Sequence, residues 1–367
     1  MYLQKLSLIN FRNHVNSNYE FDKKTTVIVG MNGQGKTNIL EAVNLLATGE
    51  SFRDGKVEEM VNLESELGHV GGKLINEELD ESDKAVGTLL QVAVTRGVVQ
   101  GKRVAGKRYM VNGVPRNKAK FLGHFSVVIF RPEDLRVVEG SPSRRRQLLD
   151  EILSQADPEY GRCLVTYKKG LIRRNKTLEM IREGKIRRTA LEFWDRLVVK
   201  NGEYLQRGRR NMVDFFNQCK FYHEFGLQID YDASVMSEAR LEQYADREVS
   251  AGHTLVGPHR DDFSIMALHK NGYQKGVYSR NLAMYGSRGE QRLGVLWIKL
   301  MGMEFLESSL KARPVLMLDD ILSELDHEHR ELVESVRERQ QTLVTTADEH
   351  YVQGWQANKW IRFKGED

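Results

Sequence analysis

The stretch Val27-Ile28-Val29-Gly30-Met31-Asn32-Gly33-Gln34-Gly35-Lys36-Thr37-Asn38-Ile39-Leu40-Glu41-Ala42 decides the fold class. A β-branched apolar run leads into a glycine-rich turn, and the turn leads into an apolar helix start. Gly30, Met31, Asn32, Gly33, Gln34, Gly35, Lys36 and Thr37 fit GxxxxGK[ST] at every fixed position. Glycines let the backbone curl so that successive N–H groups converge on one anion. The helix that follows adds the partial positive charge of its N-terminus. In such a loop the lysine, Lys36, reaches the β- and γ-phosphates of a nucleotide, and the Thr37 hydroxyl coordinates Mg2+.

A phosphate loop needs a carboxylate to complete the magnesium shell. Val315-Leu316-Met317-Leu318-Asp319-Asp320 supplies it, as an apolar run typical of a buried parallel strand that ends in two acids. Acids at the C-terminal end of a strand face the crevice where α/β sheets hold their ligands. Asp319 is the expected metal-shell residue, directly or through water, and Asp320 is placed to polarise an attacking water.

A third element is Tyr285-Gly286-Ser287-Arg288-Gly289-Glu290-Gln291-Arg292. Ser287 followed by Glu290 reads as a capping box. It opens a helix whose Leu293, Leu296, Leu300 and Met303 mark one apolar face. The serine and the N–H groups around Ser287, Arg288 and Gly289 make a second phosphate cradle. In a two-fold dimer, Ser287 of one copy would face the γ-phosphate held by Lys36 of the other.

Around these motifs the sequence predicts an α/β chain in two lobes. Leu3–Ile9, Tyr19–Phe21, Thr26–Val29, Val70–Ile75, Leu89–Thr95 and Val127–Phe130 read as strands, with a helix from Thr37 to about Ala47. Asn112-Gly113 between short apolar runs predicts a tight hairpin. The acidic stretch Asn76–Lys84 reads as an exposed loop. After Pro132 the character changes. Ser141-Pro142 marks a helix start, and Leu164, Leu171 and Leu178 recur every seven residues. Leu191, Trp194, Val198, Asn201 and Leu205 alternate gaps of three and four. Glu183-Gly184-Lys185 would turn between these runs, giving a short antiparallel helical hairpin. The last third returns to strands at Pro314–Leu318, Thr342–Thr346 and Trp360–Phe363. The expected division is therefore a β-rich lobe of residues 1–131 with 312–367, interrupted by a mainly helical lobe of residues 132–311.

The net charge of +4 hides an asymmetry. From Gly161 to Arg210 there are 15 Lys/Arg and 5 Asp/Glu, whereas the remainder is mildly acidic. A concentrated basic segment of this kind suits a polyanion, and equally a solvated helical face. The two cysteines, Cys163 and Cys219, form no CxxC and no His/Cys cluster, which argues against a disulfide framework or a zinc site. The N-terminus has no signal-peptide pattern and no apolar run is long enough to span a bilayer, so a cytoplasmic protein is expected.

The triple of phosphate loop, serine-glycine signature and acid-tipped strand, followed by Ser323-Glu324-Leu325-Asp326, resembles the ABC-type ATPase heads of SMC and recombination-repair proteins. Four further patterns are similar to the RecF family within that group. They are Asn10-Phe11-Arg12-Asn13; Pro132-Glu133-Asp134-Leu135 running to Gly140-Ser141-Pro142 and Arg144-Arg145; Leu255-Val256-Gly257-Pro258-His259-Arg260-Asp261-Asp262; and Leu318–Asp326. The resemblance implies an ABC-type head with a central P-loop helix, ATP as the nucleotide, and weak, DNA-dependent hydrolysis. It also implies an ATP-dependent homodimer that clamps DNA and releases it on hydrolysis. Expected partners are RecR and RecO, acting in RecA loading at gaps, DNA replication and the SOS response. By the same resemblance Arg12 and Asn13 line the nucleotide, Arg53 approaches phosphate or DNA, and Asp326 communicates across the dimer. The purely structural alternative makes Arg12 and Arg53 surface arginines and has His259 with Arg260 pin the interface between the lobes. Many such heads carry Glu where Asp320 stands, and Asp is one methylene shorter, so slow hydrolysis is implied. The phosphate loop alone would also serve a P-loop phosphotransferase acting on a small acceptor, or a transporter-type head. The phosphotransferase reading leaves the signature, Leu322–Asp326 and the basic hairpin without use, and for the transporter-type head no coupling partner is encoded and the strand–insertion–strand pattern differs.

Overall fold

The computed structural model describes residues 1–53, 55–79, 85–220, 225–270, 277–355 and 357–363. The chain divides into two compact units, one of Met1–Asp134 with Gly302–Asp367 and one of Leu135–Met301.

The first unit is built on two sheets. One is parallel, in the order Val127–Phe130, Val315–Asp319, Thr342–Thr346, Thr25–Val29, Lys359–Arg362. Its three central strands, VLMLD, TLVTT and TTVIV, are buried at every residue. Unbroken β-branched and aliphatic runs are what a sheet covered on both faces demands. The other sheet is antiparallel, in the order His14–Glu20, Tyr2–Phe11, Leu67–Leu79, Ala85–Thr95, Lys107–Val111, Val114–Arg116. Along Tyr2–Phe11 the buried residues are Leu3, Leu6, Leu8 and Phe11, which breaks strict alternation. A register shift between Leu3 and Lys5 accounts for the break at Leu3, because an extra residue returns the next side chains to the same face. Asn112 (φ 51°) and Gly113 (φ 76°) form the tight hairpin turn, both in the left-handed region that such turns require.

Helix Lys36–Thr48 packs against both sheets, and every residue from Ile39 to Ala47 is buried. A helix apolar all round belongs in an interior rather than on a surface. It stops at Gly49 (φ 68°), whose N–H returns to the Leu45 carbonyl, a left-handed C-terminal cap that favours glycine. The stretch Asn76–Lys84 departs from the sequence expectation. Asn76–Leu79 continue the strand Leu67–Leu79, Leu79 pairs with Ala85, and the rest lies outside the described residues.

The second unit holds helices Pro142–Ala156, Pro158–Arg182, Glu192–Gln218 and Glu238–Ala251. Ser141 stands at the N-cap of the first, but its hydroxyl meets Ser143 rather than a backbone N–H. Pro158–Arg182 and Glu192–Gln218 form the antiparallel hairpin, with Gly184 (φ 72°) in the turn. The seam of the first arm differs from the leucine heptad. Its buried residues are Tyr160, Cys163, Tyr167, Gly170, Arg174, Thr177 and Leu178, while Leu164 and Leu171 are half-buried. The glycine explains the shift, since a Cβ at position 170 would lie 2.3 Å from the Leu197 side chain. In the second arm Leu191, Val198, Asn201 and Leu205 are buried and Trp194 is half-buried.

Two arginines in this seam are internal. Arg209 meets Asp150 (2.8 Å), Asp261 (2.8 Å) and the Pro258 carbonyl (2.7 Å). Arg174 meets Asp195 (2.7 Å), Glu248 (2.7 Å) and the Thr254 hydroxyl (2.8 Å). A buried guanidinium is tolerable only when paired this fully. The unit also contains a three-stranded antiparallel sheet, Leu227–Asp232, Asp262–Lys270, Val277–Asn281, in a lobe that the sequence reads as mainly helical. Leu227–Asp232 buries only Ile229 and carries two acids, Asp230 and Asp232, which obscures its period. The alternation of buried Phe263, Ile265 and Ala267 was the available signal. Among the described residues no helix is long and apolar enough to cross a membrane.

Candidate nucleotide site

Strand Thr25–Val29 delivers the chain into Gly30–Gly35, and the helix begins at Lys36. Gly33 (φ 87°) and Gly35 (φ 102°) take conformations that side chains resist. The loop is braced from outside and from within. Asn13 Nδ2 donates to the Gln34 carbonyl (3.1 Å), while Asn38 Nδ2 donates to Asn13 Oδ1 (2.7 Å). The Met31 N–H donates to Gln34 Oε1 (2.7 Å). His14 Nε2 lies 3.3 Å from the Gly35 carbonyl, and burial pushes its imidazole below the ordinary range. Gly35 is approached so closely that a Cβ there would sit 2.6 Å from the Asn13 amide. The ammonium of Lys36 curls over the loop and donates to the carbonyls of Gly30 (2.6 Å) and Met31 (3.0 Å). Burial lowers its pKa despite the opposing fields of Asp320 and Asp319.

The acid-tipped strand meets the helix start within the same unit. Thr37 Oγ1 donates to Asp319 Oδ1 at 2.8 Å, and Thr345 Oγ1, from the strand between them, donates to the same oxygen at 2.8 Å. Burial pushes the Asp319 carboxyl up, and the hydrogen bonds from Thr345 and Thr37 oppose that. Asp320 adopts φ 50°, with its N–H donating to the carbonyl and hydroxyl of Thr345 (both 3.1 Å). The chemistry of this donor set fits Mg2+. A hydroxyl and a carboxylate, both hard oxygens, stand side by side. Among the described residues no group of three or more His, Cys, Asp and Glu makes a self-contained cation cage. That is the pattern for a cation bound through one carboxylate, its own waters and substrate phosphates.

Other predicted residues are placed as follows. Among the described residues the guanidinium of Arg12 (φ 51°) makes no hydrogen bond to the glycine loop. Its guanidinium grips Glu41 (2.6 and 3.0 Å) and the Glu59 carbonyl (2.8 Å), while its neighbour Asn13 makes the loop contact. Glu41 is fully buried in the loop helix, takes a further hydrogen bond from Ser51 (2.5 Å), and has Arg53 Nε at 3.8 Å. Sequence reasoning missed both Glu41 and His14. The signal for Glu41 was a lone acid in the apolar run Ile39–Ala47. Asp326 caps helix His327–Arg337, accepting from the His329 N–H (3.0 Å). His259 is internal to the second unit. It accepts from the Tyr167 hydroxyl at Nδ1 (2.7 Å) and donates from Nε2 to the Thr254 carbonyl (3.2 Å). Burial, chiefly, pushes its pKa down to about 4.

Ser287, Arg288 and Gly289 belong to the second unit, at the start of helix Arg288–Leu310. The capping box is closed in both directions. The Ser287 N–H donates to Glu290 Oε2 (2.8 Å), and the Glu290 N–H donates to Ser287 Oγ (3.3 Å). Gln291 adds a tie to the Gly286 carbonyl (3.3 Å). Of the basic residues from Gly161 to Arg210, Arg174 and Arg209 are spent inside. Arg162, Lys176, Lys185 and Arg188 pair with Glu159, Glu179, Glu183 and Asp246 at the surface.

Parallel sheet, buried glycine-loop helix and hydroxyl-bound aspartate together define a P-loop nucleotide-binding fold. The family described as RecF/RecN/SMC N terminal domain matches residues 2–366. The DNA replication and repair protein RecF of Herpetosiphon aurantiacus is 34% identical over 370 residues, covering 95% of this chain and 94% of that protein. The RecF of Lachnoclostridium phytofermentans is 32% identical over 364 residues, covering 96% and 94%. A solved structure of the recombination mediator protein RecF-ATP in the RecFOR pathway is 30% identical, covers 95% of this chain and 92% of its own, and superposes with a TM-score of 0.80. An Smc head domain from Pyrococcus furiosus, 18% identical with a TM-score of 0.52 over 100% of this chain and 94% of its own, shares the fold. The chain belongs to the RecF/RecN/SMC family, among its RecF proteins.

Proposed function

We propose that this chain is an ATP-operated DNA-binding switch of recombinational repair and replication. The observation that carries the proposal is the pairing of Thr37 with Asp319 beside Lys36 in one unit, together with the closed capping box at Ser287 in the other. Lys36 exchanges its loop carbonyls for the β- and γ-phosphates of ATP, and the N–H groups of Gly30–Thr37 line the same anion. Thr37 and Asp319 hold Mg2+, which when bound offsets phosphate charge. Asp320 orients the water for hydrolysis, and the short side chain keeps that step slow. Ser287, Arg288 and Gly289 of a second copy close on the γ-phosphate, so ATP joins two chains and its loss separates them. In this reading hydrolysis controls the lifetime of a DNA complex and performs no chemistry on DNA.

The likeness to RecF proteins supports a cytoplasmic protein that works with RecR and RecO to load RecA at gaps and so supports the SOS response. Binding of labelled duplex and gapped DNA, with and without ATP, tests the proposal. Affinity should rise with ATP and fall steeply with salt, with a logarithmic slope near −0.9 per duplex phosphate contacted. DNA affinity indifferent to nucleotide contradicts it.

A further inference from the structure

We infer that Thr345 is a positioning residue for the metal-binding carboxylate, fixing which oxygen of Asp319 faces the cation and holding Asp320 beside it. This rests on the role proposed above for Asp319. Thr345 is 1% exposed, in a strand paired on both sides, with Asp319 opposite it in one neighbour and Ile28 in the other. A hydroxyl has one proton to give and can accept twice. The Asp320 N–H, 3.1 Å away, can only donate, so the Thr345 hydroxyl accepts there and directs its proton to Asp319 Oδ1 at 2.8 Å. Its orientation is therefore set by both acids.

Asp319 Oδ1 is taken twice, by Thr345 and by Thr37, while Oδ2 takes no hydrogen bond among the described residues. The two hydroxyls are not equivalent. Thr37 is at the loop's edge, where its hydroxyl can give a lone pair to a cation while its proton stays on Oδ1. Thr345 lies in a wholly buried strand and keeps its bond whether or not a cation is present. Thr345 also supplies both acceptors that secure Asp320 at φ 50°, a conformation few side chains adopt without support.

Thr345→Val keeps the shape and removes the hydroxyl, and Thr345→Ser restores it. The test titrates Mn2+ into the full-length protein with a non-hydrolysable ATP analogue, reading bound metal by electron paramagnetic resonance. Partners that orient a metal ligand typically change affinity about 10–100-fold, so Thr345→Val should raise the half-saturating Mn2+ by that factor. Analogue affinity without metal should be unchanged, and Thr345→Ser should bind Mn2+ like the wild type. If Thr345→Val does not fold, Thr345→Ala carries the same comparison. Unchanged Mn2+ affinity in the hydroxyl-free variant overturns the inference. So does a Thr345→Ser protein as impaired as Thr345→Val, which would assign the residue to packing alone. Failure of the nucleotide proposal itself would be distinct, as a wild-type protein that binds no metal–nucleotide at all.

Discussion

The glycine-loop site of one unit and the helical seam of the other treat buried charge in opposite ways. In the nucleotide unit, Lys36 rests on two loop carbonyls and Asp319 on two hydroxyls. Burial drives both toward their neutral forms, lowering the lysine's pKa and raising the aspartate's. In the helical unit, burial alone would push the Arg209 guanidinium down, but Asp150, Tyr160 and Asp261 carry it above its ordinary value. Lys36 and Asp319 have partners that a phosphate and a cation can replace, whereas Arg209 has partners that nothing displaces. On the proposed function the contrast separates residues that await a ligand from residues that fix a fold, although all of them are charged and buried.

The comparison breaks most visibly at Arg209. Arg209→Ala strands Asp150 and Asp261 without their cation, and removing one partner of a buried pair costs about 3–5 kcal/mol. Urea denaturation should show that loss with the glycine-loop site chemically intact. Lys36→Ala should do the reverse. A charge-assisted contact is worth about 1.5–3 kcal/mol, so ATP affinity measured by calorimetry should fall by up to about 100-fold, while the unfolding midpoint hardly moves. Ser287→Arg sharpens the contrast across copies, because ATP binding by a single chain should persist while ATP-driven association disappears from a sedimentation profile. Lost ATP affinity in the isolated chain would instead place Ser287 within one copy's site.

The smallest effect is expected at His259. Its folded pKa lies below the ordinary imidazole value, at about 4 against 6.5. The unfolded chain therefore binds the proton first, and the stability it contributes above pH 6.5 is lost as pH falls toward about 4. Denaturation midpoints of the wild type and His259→Asn should converge over that interval.

Much of the nucleotide site was legible because its chemistry is contiguous. Gly30–Thr37 and Val315–Asp320 each carry strand, turn and functional group in one short run. The braces were not legible for the opposite reason. Asn13, His14 and Thr345 act on the loop and the acids from other parts of the chain, and only Asn13 was assigned a role there through resemblance. The guanidinium of Arg12, expected at the nucleotide, rests on Glu41, a partner that sequence order does not reveal. In the helical unit, charge counting treated Arg174 and Arg209 as surface cations. Their helical spacing places them in the seam with Tyr160, Tyr167 and Leu205, and a count blind to spacing loses that. The heptad of Leu164, Leu171 and Leu178 misled in the same way, because Gly170 draws the arms together along a neighbouring stripe.

The central claim is that ATP joins two copies of this chain through Lys36 of one and Ser287 of the other. Light scattering on Asp320→Asn, in which ATP is held but not turned over, tests it directly when ATP and Mg2+ are added. The account predicts that the mass doubles with ATP, returns to that of one chain with ADP, and stays at one chain when Ser287→Arg is added. A mass that stays at one chain with ATP bound would contradict it.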